Sequence, residues 1–167
     1  MNPRITEVRR LLNDFMGDLG AAVQTRQTLE SPLNAENQYV RRMCLSQAIL
    51  TLLKWFEFSK TYKALLPEEC LQACQALEEE LQARRIQLFR HRAIGRMVDK
   101  KSGAALTGDA IDEYLDIVMK GDETAFWAFI GTPSETHFPK TVLSIAKRTY
   151  TSIKETDQSA DSKALSE

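Results

Sequence analysis

Apolar residues recur along most of the chain at alternating spacings of three and four, the period of an α-helix, and no stretch alternates as a half-buried strand would. Ile5, Val8, Leu12, Phe15, Leu19 and Ala22 form the first stripe. With Asn2 and Pro3 as cap and first turn, it predicts a helix running to about Thr28. After the polar break ESPLNAEN, a second helix is expected from about Ala35 to Ala64. Leu45, Ile49, Leu52 and Phe56 make one stripe of it, while Leu50, Leu53, Trp55 and Phe58 spread apolar surface around the cylinder. A helix apolar on most sides is buried on most sides, so this one belongs either at the centre of a bundle or in a subunit interface.

Pro67 followed by Glu68 and Glu69 marks a third start, with proline in the first turn and acids at the positive end of the helix dipole. This helix is expected to reach about Ala93. Its stripe is Cys70, Cys74, Leu77, Leu81 and Leu88, and the same rhythm places the ionisable Arg84 and His91 where apolar residues belong. After Gly95 the period is lost, and RMVDKKSGAALTGD reads as a loop or small hairpin. Thr107 to Asp109 can cap a fourth helix bearing Ile111, Tyr114, Leu115 and Val118 and stopped by Gly121. DETAFWAFIG presents Phe126, Phe129 and Ile130 on a short fifth. Phe138-Pro139 opens a sixth with Val142, Ala146, Tyr150 and Ile153 on one face. From about Glu155 the chain is polar and aromatic-free, the composition of a disordered tail. The expected architecture is all-α: a bundle of about three long helices with two or three shorter C-terminal ones, one domain over residues 1–155 and a tail over 156–167.

Composition narrows the function classes. The 22 basic residues against 23 acidic ones leave a net charge of −1, so the molecule as a whole does not steer towards nucleic acid or an anionic membrane. Cys44, Cys70 and Cys74 sit at apolar helical positions, as core thiols of a reducing compartment do. The N-terminus lacks the apolar run of a secretory leader and no stretch is long enough for a membrane span, so a cytoplasmic protein without membrane association is expected. His91 and His137 lack paired-ligand spacing, and neither metal nor cofactor is expected. Gly-rich phosphate loops and the nucleophile elbow are absent. His137 reads as a solvent-facing loop residue, and Trp55, Trp127 and Phe129 as core.

One stretch departs from the background. Arg84, Arg85, Arg90, Arg92, Arg96, Lys100 and Lys101 face a single acid, Asp99, between residues 84 and 101. Arginine suits a polyanion site because its planar guanidinium clamps phosphate oxygens in pairs. A helix with acids first and bases last is also what the dipole rewards without any ligand, and an arginine at the edge of a stripe can snorkel to water.

The stretch RHRAIGRMVDKKSGAALT, after a long amphipathic helix that ends in an arginine-polar pair, resembles HEPN-domain proteins, in general layout from Gln38 to Lys154 and most specifically over Arg90 to Thr107. The resemblance implies an all-α bundle that dimerises through its motif helices. Many such proteins are metal-independent ribonucleases of toxin-antitoxin, abortive-infection or CRISPR-linked defence systems. In that family a histidine is held to act on the 2′-hydroxyl or the leaving group, and an arginine stabilises charge on the phosphate. The motif arginine falls on Arg90, its polar neighbour on His91, the histidine position on Arg96 and the following acid on Asp99. Arginine stays protonated and is a poor proton shuttle. A second register, Arg84 with His91, supplies a histidine seven residues on but lacks the glycine and acid context.

Three functions remain open at this stage. The first is a non-catalytic HEPN-like homodimer that binds RNA or a protein partner in a phage-defence or mobile-element system, with Arg85, Arg92, Arg96, Lys100 and Lys101 as phosphate contacts. The second is a metal-independent endoribonuclease using His91 with Arg84 or Arg90. The third is a structural interaction bundle whose basic island only decorates the helix end.

Overall fold

The computed structural model of the chain describes residues 3–29, 35–89 and 107–164, with side chains as far as Asp157 in the last segment. It is all-α, and no strand occurs among the described residues. The elements are α1 (Pro3–Gln27), α2 (Ala35–Tyr62) continued by a 3-10 turn over Lys63–Leu65, α3 (Glu68–Ala83), α4 (Ile86–Phe89), α5 (Gly108–Met119), α6 (Glu123–Ile130) and α7 (Val142–Ala164).

The first two helices fall where the hydrophobic period puts them. Val8, Leu12, Phe15, Leu19 and Ala22 of α1 are buried against α2 and α7. α2 is the central helix, in contact with α1, α3, α4 and α5. Trp55 is fully enclosed, its ring centroid 5.3 Å from Phe15 and 5.4 Å from Phe58, in tilted arrangements favourable to aromatic rings. The N-terminal part of α2 is different: Tyr39 and Met43, one turn apart, are 67% and 70% exposed.

α3 ends ten residues before the periodicity alone would end it, at Ala83 and not near Ala93. Arg84 donates its N–H to Glu80 O, and Arg85 turns into the left-handed region at φ 54°, its N–H reaching Gln82 O at 2.9 Å. The break rotates the following turn so that Ile86 and Phe89 enter the core while Leu88 is only half-buried. Two bulky apolar residues off the α3 stripe thus gain burial that a straight helix would deny them. Residues 90–106, with the expected loop or hairpin, lie outside the described residues apart from the chain's return at Thr107.

Thr107 caps α5 by accepting from the Ala110 N–H at 3.3 Å. Left-handed Lys120 and Gly121 close it, the Gly121 N–H reaching Asp116 O at 3.0 Å. Asp122 caps α6 through the Ala125 N–H at 2.9 Å. α7 begins later than Phe138-Pro139 suggests, at a reciprocal cap in which Thr141 and Ser144 each bind the other's backbone N–H. It is also long. The tail expected from residue 156 is helical as far as Ala164, and Asp157 is buried beside Arg9 of α1 at 3.8 Å.

Candidate functional site

Only two of the basic-island residues fall within the described part of the chain, and the turn that ends α3 sends them in opposite directions. Arg84 is 7% exposed. Its guanidinium carbon lies 4.6 Å from the Phe129 ring centroid and 5.7 Å from that of Phe126, so α6 supplies two aromatic faces to the cation. Nη1 donates to Val118 O at 3.2 Å. Nε stands 2.8 Å from Glu80 Oε1, a charge contact off the line of a hydrogen bond, and Lys120 Nζ shares the same oxygen at 2.9 Å. Arg84 therefore ties the end of α3 to α5 and α6. Arg85, held with positive φ, is exposed, and its side chain makes no hydrogen bond or ion pair with the described residues. Arg90, His91, Arg92, Arg96, Lys100 and Lys101 lie outside the described residues.

A second cluster, which no local pattern announces, sits at the opposite end of α6. Glu123 accepts from Arg26 Nε at 2.7 Å, Arg41 Nε at 2.5 Å and Trp127 Nε1 at 3.0 Å. Burial by itself would raise the Glu123 pKa, but the bonds from Arg26, Arg41 and Trp127 outweigh it and hold the carboxyl below its ordinary value. Beside it Arg42 grips Asp112 through two bonds of 2.9 and 2.6 Å, and the bond to Asp112 raises the arginine's own pKa. Arg26 and Arg41 stand 97 and 82 residues from Glu123, so only the folded topology brings them together.

α1, α2, Phe89 and Ile111 line an apolar groove of about 580 Å³ that also carries Tyr39, Arg42 and Met43. Among the described residues, no group of three His, Cys, Asp or Glu side chains is arranged to hold a metal ion, and no helix is long and apolar enough to cross a membrane. The cysteines are free and buried, and burial pushes the Cys74 thiol up to about 11. The His137 side chain is 82% exposed and its Nδ1 lies 3.1 Å from Glu135 Oε1. Trp55 is core, whereas Trp127 and Phe129 are half-buried.

No family model and no curated protein matches the chain. A solved structure shares its fold: the integron cassette protein Vpc_cass2, from the mobile metagenome of V. paracholerae. The two superpose with a TM-score of 0.77 over 92% of this chain and 98% of that one, at 17% sequence identity. What this establishes is the class, an all-helical bundle of the architecture seen in that cassette protein.

Proposed function

We propose that this chain is a HEPN-like helical module that binds RNA without cleaving it, pairs with a second copy of itself, and works in the cytoplasm within a mobile-element or phage-defence system. The observation that carries the reading is the split between two neighbouring arginines. A ribonuclease built on Arg84 and His91 needs a guanidinium free to meet a developing phosphate charge. The Arg84 guanidinium is instead committed to Phe129, Val118 O and Glu80. The alternative register places Arg96 where a proton shuttle is required, and arginine does not shuttle. Phosphate binding needs only exposed cations, and Arg85 opens the basic run as one.

The neighbour of the same fold is described as an integron cassette protein of a mobile metagenome, which supports the mobile-element setting. Incubation of the purified protein with single-stranded RNA and a chelator tests the reading. Retarded but intact RNA is expected, together with a dimer by light scattering. Cleavage that disappears in His91→Ala would establish the ribonuclease instead.

A further inference from the structure

A cavity of about 530 Å³ lies between the last turn of α1, the outer face of α6 and the 131–141 connection. One wall is apolar, built by Val23, Trp127 and Ala128; the other carries Arg26, Lys140 and the hydroxyl of Thr132. We propose that this cavity binds a planar ligand bearing a phosphate, of the nucleoside monophosphate class, with the base against Trp127 and the phosphate between Arg26 and Lys140.

The two recognition groups are fixed relative to each other by one atom. Glu123 Oε1 accepts from Arg26 Nε at 2.7 Å and from Trp127 Nε1 at 3.0 Å, while Oε2 is occupied by Arg41. Because Arg26 is held through Nε, its terminal nitrogens make no hydrogen bond with the described residues and keep the paired donors that suit phosphate oxygens. Side chains held in place before a ligand arrives lose less entropy on binding it.

Two acids stand near the cavity, and both keep their negative charge. Glu123 is shared by two guanidiniums and an indole. Glu135 accepts from the backbone N–H of Thr136 and His137 and from the His137 ring. Both carboxyls have pKa values below the ordinary range, as groups surrounded by donors do. Arg26, Arg41 and Lys140 nonetheless outnumber the two carboxylates, Glu123 and Glu135, by one positive charge. The Lys140 ammonium makes no hydrogen bond with the described residues and acts on Glu135 through its charge alone. The connection that carries it is pinned where Gly131, at φ 86°, packs its backbone against Thr141.

The volume lies within the roughly 300–1,000 Å³ of small-molecule pockets. The chain's two tryptophans make the test selective, since Trp55 is sealed in the core and Trp127 lines the cavity. Intrinsic fluorescence of the full chain would be titrated with adenosine monophosphate, with adenosine and with inorganic phosphate. The expected result is saturable quenching by the monophosphate, and binding at least fivefold weaker for adenosine and for phosphate alone. Trp127→Phe should abolish the quenching. Lys140→Gln should weaken the monophosphate at least fivefold with an unchanged unfolding transition. Quenching that fails to saturate, equal affinity for inorganic phosphate, or an unchanged half-point in Lys140→Gln would overturn the assignment.

Discussion

The Arg84 guanidinium carbon lies 4.6 Å from the centre of the Phe129 ring, so a charged group completes the seam where α3 meets α6. Truncation to alanine removes this stacking, leaves Val118 O without its partner and opens space beside Phe126. Arg84→Ala should cost about 2–4 kcal/mol in urea unfolding. Arg84→Met, which refills the space but still leaves Val118 O and Glu80 without their donor, should cost less than alanine, about 1–3 kcal/mol.

Arg85 is left-handed without being glycine, a conformation that costs an ordinary side chain roughly 1–2 kcal/mol. Arg85→Gly should therefore leave stability unchanged or raise it by up to about 1 kcal/mol, since glycine's larger unfolded-state entropy offsets part of the relief. Thermal unfolding checks the sign. A clear loss of stability would mean that the Arg85 side chain makes contacts that hold the fold.

The fold was legible where period and caps agreed. The stripe from Val8 to Ala22, the Thr107 cap and the Gly121 stop all correspond to observed features, because each depends on residues within a few positions of one another. The end of α3 was not legible. Its stripe continues through Arg84, and the reason to stop lies in the burial of Ile86 and Phe89 against elements distant in sequence. α7 exceeds its expected length, and in the added part Asp157 meets Arg9, a contact between distant parts of the chain that composition does not encode. The charge anomaly at Arg84 was visible from the pattern, but the Glu123 cluster was not, since nothing local distinguishes Arg26, Arg41 or Glu123 from ordinary surface charges.

Glu123 links stability to pH. Its folded pKa is lowered, so its contribution is fully present above the ordinary carboxylate pKa of about 4.3 and is lost as pH falls below that value and through the folded pKa. Glu123→Gln should lower stability at pH 7 by about 1–3 kcal/mol and flatten the acid limb of the curve. Urea midpoints measured between pH 7 and 3 check both; parallel curves for the two proteins would refute the linkage.

All three thiols are buried, and Cys74 has a pKa of about 11, so little reactive thiolate exists near neutrality. An aromatic disulfide reagent at pH 8 should label the native protein only at the rate of local or global opening, and should label Cys44, Cys70 and Cys74 promptly in denaturant. Fast labelling under native conditions would contradict this burial.

The salt dependence of RNA affinity tests the central claim most directly. For wild type, the logarithm of the binding constant should fall steeply and linearly with the logarithm of salt concentration. Arg85→Gln should make the slope shallower by about 0.7, the loss of one phosphate contact to a single strand, and Arg84→Met should leave it unchanged. A flat salt dependence, or RNA binding that tracks Arg84 and ignores Arg85, would contradict the proposed division between a cation that holds the bundle together and a cation that meets the ligand.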